Sequence, residues 1–296
     1  YRGEEIALVA TLMNQVGVAW KNNLLYRETL GKAVLEEELA LARKIQQAFL
    51  PSRFPADLPF EVHGLNLPSK YVGGDYFDFF PLPDGTYALA IADVSGKGVP
   101  AALLASMLQA SLRTLLREGV SPGRIFERVN RLVCESTAPD QFITALVGRL
   151  DPRRWTLTYC NAGHNYPFHH RSGREVSLLA VSDLLLGIDE GMTYQEHTLR
   201  LEAGDALLLY TDGVTEARDP GGDEFGEERL GSLLVGLAHR SAEEGIREIR
   251  EEVLRFTAST DLYDDMTLLL LRVPSTLEKV PPREEALALS EVSGRL

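Results

Sequence analysis

Apolar runs in this chain stop repeatedly at aspartate. Tyr87-Ala88-Leu89-Ala90-Ile91-Ala92 runs directly into Asp93, and Leu207-Leu208-Leu209-Tyr210 ends just before Asp212. Short apolar runs bounded by turn residues read as buried strands. Strands that end on acids carry carboxylates to the rim of a core. Four acidic motifs share this placement: Gly73-Gly74-Asp75-Tyr76-Phe77-Asp78, Ala92-Asp93-Val94-Ser95-Gly96-Lys97-Gly98, Tyr210-Thr211-Asp212-Gly213-Val214 and Asp264-Asp265-Met266-Thr267. In three of them glycine sits at or near the aspartate, where it lets the backbone turn sharply and approach an ion or phosphate closely.

A lone aspartate at a strand end is usually a turn former. Several together, with no nearby His or Cys ligand, point elsewhere. Clustered carboxylates repel unless a cation neutralises them. Oxygen-only ligands select hard ions, so Mg²⁺ or Mn²⁺ is expected over Zn²⁺. Two such ions about 3.5–4 Å apart can activate a water and stabilise an in-line phosphoryl displacement. That chemistry needs no nucleophilic side chain, and no GxSxG elbow occurs.

The pattern between the motifs predicts strands at Phe60–Asn66, Tyr76–Phe80, Tyr87–Asp93, Thr144–Leu150, Thr156–Cys160, Pro167–His170, Tyr194–Leu201, Ala206–Thr211 and Thr267–Val273. Helices are expected near Pro100–Arg117, Pro122–Glu135, Glu227–Ala238 and Ala242–Phe256. Tight turns such as Pro83-Asp84-Gly85 and Asp151-Pro152 make neighbouring strands antiparallel, and helices in pairs form outer layers. The expected fold class is α+β, a two-sheet sandwich covered by helices.

Residues 1–50 contain no proline and read as helix. Ile6, Val9, Met13, Val16 and Trp20 alternate steps of three and four, a heptad seam with Asn23 at the next position. Gly31 interrupts it, and Leu35, Leu39, Ala42, Ile45 and Phe49 form a second stripe before Pro51 and Pro55. An apolar stripe this long reads either as one helix packing on its own domain or as a parallel homodimer, and its length favours the dimer, because an unpartnered stripe would lie in water. The expected boundaries are 1–30 for the end of an upstream helix, 31–54 for a coiled-coil linker, 55–274 for the enzyme domain and 275–296 for a tail with a short helix at Glu284–Leu289. The stretch Leu8 to Trp20 is too short to span a bilayer of about 30 Å, so no membrane segment is expected in this fragment. Tyr1 stands where a complete chain would have Met, which suggests a piece of a longer protein. The net charge of -13 disfavours nucleic acid as a partner. Cys134 and Cys160 form no CxxC pair and read as small core residues, compatible with a cytoplasmic location.

The segments GGDYFDFF, IADVSGKGVPAALLAS, FITALVGRLDP, NAGHNYP, LLLYTDGVTEARD and DDMTLLLL resemble, in order, those of SpoIIE/RsbU-type phosphatases of the metal-dependent PPM superfamily. ELALARKIQQAFLP resembles the helix that leads into that domain, so the match covers roughly Glu36 to Val273. YRGEEIALVATLMNQVGVAWKNNLLYRE resembles the last helix of a GAF sensor domain. The resemblance implies an αββα sandwich binding two Mn²⁺ or Mg²⁺ ions. It implies that Asp93 bridges both, that the Val94 carbonyl is a further ligand, that Asp212 and Asp264 complete one site, and that Asp75 binds directly or through water. Asp93, Asp212 and Asp264 are the implied catalytic set. Asp265 is implied as a supporting residue, and Gly74 and Gly213 as shapers of the turns. The implied substrate is a phosphoserine or phosphothreonine on a STAS-domain anti-anti-sigma factor. The helix after SGKGVP is implied in activation, and the N-terminal coiled coil is expected to couple a sensor to it.

Some expectations are negative. The arginine that holds phosphate in eukaryotic relatives has no clear match here. Lys97 reads as solvated or structural rather than a phosphate ligand, His164 as a turn-packing residue, and Ser95 as dispensable to the chemistry. Gly221-Gly222-Asp223-Glu224-Phe225 spells the diguanylate cyclase signature but lies where the phosphatases carry a variable loop. Ser95-Gly96-Lys97-Gly98 lacks the Ser/Thr of a P-loop. The rival from another class is a catalytically silent module that only docks a STAS partner.

Overall fold

The structure is a computed structural model and describes residues 3–51, 54, 58–138, 140–173, 176–259 and 262–276; the side chains of residues 4, 6, 7 and 9 lie outside the description. The expected tail helix at Glu284–Leu289 and the seam side chains of Ile6 and Val9 therefore lie outside the described residues. The chain forms two compact units, Tyr1–Ile45 and Gln46–Leu296.

The first unit is helical. It is the greater part of α1 (Gly3–Phe49), which continues through Gly31 without a break. Leu12, Met13, Val16 and Trp20 are exposed on it.

The second unit holds two five-stranded sheets. One has the order β1 (Glu61–Leu67), β10 (Met266–Arg272), β9 (Ala206–Tyr210), β6 (Phe168–His170), β7 (Val176–Leu178). The other has the order β2 (Tyr76–Pro81), β3 (Tyr87–Val94), β4 (Ile143–Asp151), β5 (Thr156–Ala162), β8 (His197–Arg200). All neighbouring strands pair antiparallel. Helices α2 (Val99–Arg117) and α3 (Pro122–Ser136) cover the second sheet. Helices α5 (Gly226–Gly236) and α6 (Ala242–Thr257) cover the first, and a single turn, α4 (Asp212–Thr215), follows β9.

The side-chain alternation of the strands explains these four layers. In β3, Ala88, Ala90, Ala92 and Val94 face the core under α2 and α3, whereas Leu89 and Ile91 face the core between the sheets. In β10, Met266, Leu268 and Leu270 face α5 and α6, whereas Leu269 and Leu271 point between the sheets. Strands buried on both faces must be apolar at nearly every position, hence the unbroken runs in the sequence. α2 is long and apolar enough to cross a membrane by composition. Its Ala101, Ala105, Leu108, Leu112 and Leu116 instead pack into a core, which accounts for that composition.

Two elements were not anticipated. β7 has three residues, none fully buried, too few to show a period. α4 is one turn hidden inside the Asp212 motif. The strand expected at Tyr194–Leu201 is confined to His197–Arg200, while Tyr194 and Leu201 serve as core residues beside it.

Candidate active site

The antiparallel pairing of β2 with β3 sets Tyr76 opposite Ala92, which brings the residues just before β2 beside the end of β3. Asp75 and Asp93 thereby become neighbours. The pairing of β9 with β10 sets Tyr210 opposite Leu268, so Asp212 and the Asp264-Asp265 pair leave adjacent strand ends. Residues remote in sequence converge at one rim of the sandwich.

Their electrostatics record the proximity. Burial, followed by the charges of Asp212 and Asp264, pushes Asp93 up to about 7. Asp75 is also held well above the usual carboxylate range, by burial and then by Asp93, while hydrogen bonds from Thr267 and Thr211 oppose the shift. Asp212 is raised by burial and then by Asp264. Carboxylates perturb one another in this way only at close range. Among the described residues, however, no three His, Cys, Asp or Glu side chains form a ready ligand triad.

The supporting contacts are specific. Thr211 Oγ1 donates to Asp75 Oδ2 at 2.7 Å and accepts from the Thr267 amide at 3.0 Å, tying β2, β9 and β10 together. Asn66 Nδ2 donates to Thr267 Oγ1 at 2.9 Å. Asp265 uses both oxygens on protein donors: Oδ1 accepts from Ser69 N and Oγ at 2.7 and 2.9 Å, and Oδ2 accepts from Gly74 N at 2.8 Å. Asp264 Oδ1 accepts from the Asp265 amide at 2.9 Å, and its Oδ2 lies 2.7 Å from Lys97 Nζ.

Two glycines let backbone segments meet. A Cβ on Gly74 would lie 2.7 Å from the Val94 carbonyl oxygen, and one on Gly213 would lie 1.9 Å from the Asp265 carbonyl oxygen. Both contacts are with backbone, which cannot swing aside.

Several candidates fall outside the acidic cluster. Asp78 is fully buried on β2 and pairs with Arg113. His164 is buried, its Nδ1 3.0 Å from Thr144 Oγ1, and burial lowers it to about 4. It is thus neutral near pH 7 and is no imidazolium acid. Ser95 Oγ accepts from the Phe142 amide at 2.9 Å, and the Ser95 amide donates to the Phe142 carbonyl, which fixes a turn. Lys97 also donates to the Tyr263 carbonyl at 2.9 Å. Cys134 and Cys160 are free, and burial raises both thiols. Spacing in the sequence does not point to Ser69 or Asn66, and although Gln46 lies in ELALARKIQQAFLP and Thr211 and Thr267 lie in the Asp212 and Asp264 motifs, nothing in those segments reveals their contacts.

A sandwich of two antiparallel sheets with helices on both outer faces is the fold of solved PP2C phosphatase domains. The PP2C domain of SiaA from Pseudomonas aeruginosa superposes with a TM-score of 0.73 at 24% identity, over 82% of this chain and 98% of that one. The profile of the family described as Stage II sporulation protein E (SpoIIE) matches residues 83–274, and the chain belongs to that family. Phosphoserine phosphatase RsbU of Bacillus subtilis is 31% identical over 240 residues, 80% of this chain and 70% of that protein. Protein IcfG of Synechocystis is 29% identical over 260 residues, 78% of this chain but 41% of that protein. The Gly221–Phe225 segment falls inside the family match. There it forms a small loop in which Asp219 Oδ1 accepts from the amides of Gly221 and Asp223.

Proposed function

We propose that this chain hydrolyses phosphoserine or phosphothreonine on a STAS-domain anti-anti-sigma protein, using two Mn²⁺ or Mg²⁺ ions. The observation that carries this reading is the convergence of Asp93, Asp212 and Asp264 at adjacent strand ends, close enough that the charges of Asp212 and Asp264 add to burial in raising Asp93, and that of Asp264 in raising Asp212. Buried like charges of this kind suit a multivalent cation, and the all-oxygen donor set suits a hard one.

Asp93 would be shared between the ions, Asp212 and Asp264 would hold one of them, and Asp75 would contribute directly or through water. The Val94 carbonyl, which Gly74 leaves uncovered by side chain, is a further donor. When bound, the ions supply an activated water and neutralise phosphoryl oxygens. Asp265 acts as a brace, since its oxygens already hold Ser69 and Gly74. Thr211 orients Asp75. The substrate class is supported by the relative RsbU, a phosphoserine phosphatase. The exposed stripe of Met13, Val16 and Trp20 supports a parallel homodimer through α1.

The decisive experiment is release of phosphate from a phosphorylated STAS protein with and without Mn²⁺. Release should require the metal and should collapse in Asp93→Ala, with circular dichroism unchanged. Tight binding of the phosphoprotein without release at any metal concentration would instead identify a silent docking module.

A further inference from the structure

The last turn of α1 belongs to the second compact unit, which begins at Gln46. Gln46 lies in this turn. Its side-chain amide bonds both backbone groups of one residue: Nε2 donates to the Gly73 carbonyl at 2.7 Å, and Oε1 accepts from the Gly73 amide at 3.2 Å. An amide is the one neutral side-chain group that can donate and accept at once in the geometry of a peptide. Gly73 and Gly74 are buried, so their backbone groups need partners from the protein.

The other side of the same turn is closed by Asp265. Its Oδ2 accepts from Gly74 N, and a Cβ on Gly73 would lie 2.1 Å from that oxygen. The Gly73-Gly74 turn is thus held between the Gln46 amide and the Asp265 carboxylate, and the next residue is Asp75. The α1 turn is itself fixed from a second direction. Gln109 Nε2 of α2 donates to the Phe49 carbonyl at 2.6 Å, and Leu50 packs against both the core under α2 and the core between the sheets.

We infer that Gln46 is a positioning residue for Asp75: through Gly73 it sets the turn that presents this acid. This deepens the functional reading above and rests on it for its kinetic consequences. The final turn of α1 then belongs to the catalytic unit rather than to a passive tether, and a change in α1 at Gln46 reaches the acidic rim in two residues.

The test compares the 296-residue chain with its Gln46→Ala and Gln46→Glu variants, and with Gln47→Ala as a neighbouring control. Hydrogen exchange is read on the peptide containing Gly73 and Gly74, and Mn²⁺ affinity is read by calorimetry. In Gln46→Ala, exchange at these amides should accelerate by about 10-fold or more and Mn²⁺ binding should weaken about 10-fold, the usual effect of losing a group that orients a ligand. Its kcat for the phosphoprotein should fall with KM unchanged. Gln46→Glu keeps the acceptor and loses the donor, so it should lie between. Unaltered exchange and Mn²⁺ binding in Gln46→Ala would overturn the inference, as would equal effects in Gln47→Ala. If the wild-type chain releases no phosphate, the functional reading fails, yet the exchange measurement still decides the role of Gln46.

Discussion

Asp93 meets opposing demands. It is the penultimate residue of β3, whose other residues are almost wholly buried, yet under the proposed function its carboxylate has to ionise to hold a cation. Burial and its acidic neighbours push it up to about 7, against about 3.9 for an unstructured aspartate. Between those limits the folded chain binds more protons than the unfolded chain, so stability falls as pH rises from about 4 through about 7. The difference is on the order of a few kcal/mol. Chelator-treated protein should therefore show a lower urea midpoint at about pH 8 than at about pH 5. Asp93→Asn cannot ionise and should flatten that slope, leaving the share due to Asp75, which is raised in the same direction. Added Mn²⁺ favours the ionised form and should reverse the trend. Parallel pH profiles for wild type and Asp93→Asn would show that Asp93 is not the perturbed group. The acids themselves were legible in the sequence because each stands at a strand end beside a turn. Their supports were not. Thr211 meets Asp75 across 136 residues and Ser69 meets Asp265 across 196, distances over which spacing says nothing about contact.

Among the elements, α2 and β2 are joined by an ion pair whose carboxylate is buried. Asp78 has no exposed surface, yet it is bound by charge to Arg113 of α2, with Nε at 2.5 Å and Nη2 at 3.0 Å. Tyr76 donates its hydroxyl to Asp78 at 2.8 Å, and the Phe79 amide donates at 2.9 Å. Arg113 also lies over the Phe80 ring. A buried carboxylate that loses its cation keeps its desolvation cost without the compensating attraction. Arg113→Met should therefore destabilise the fold by about 3 kcal/mol, the low end for a buried pair because Arg113 reaches solvent. Adding Asp78→Asn should recover part of the loss, since the stranded charge is gone. Chemical denaturation of the two variants tests this, and a loss below about 1 kcal/mol in the single variant would show that the pair does not lock α2 to the sheet. The strands and long helices were legible from apolar runs and from Pro100 and Pro122 at helix starts. β7 was not, because a strand of three residues carries too little period to separate it from a loop.

The whole molecule joins an enzyme-like sandwich to a long helix with unusual exposure. Leu12, Met13, Val16, Trp20, Leu24 and Leu25 are each about half exposed or more, Trp20 reaching 74%. Single exposed apolar residues are ordinary, but Met13, Val16 and Trp20 among them alternate steps of three and four, the pattern of a helix that has a partner. A second copy of the same helix satisfies it without any further component, and Asn23 at the next seam position favours one register. Burying each such side chain is worth about 1.5–3 kcal/mol. Replacing Val16 and Trp20 with glutamate removes that gain in both copies and sets like charges against each other. The double variant should weaken the dimer by about 100-fold or more, since each 1.4 kcal/mol is about tenfold. Sedimentation velocity over a concentration series reads this directly. The Gln46–Leu296 unit should keep its thermal midpoint in the variant, because its cores contain no residue of the Met13–Trp20 seam. A wild-type chain that sediments as a monomer, or a double variant as dimeric as its parent, would remove the coiled-coil reading and leave the phosphatase reading intact, since the two rest on different residues.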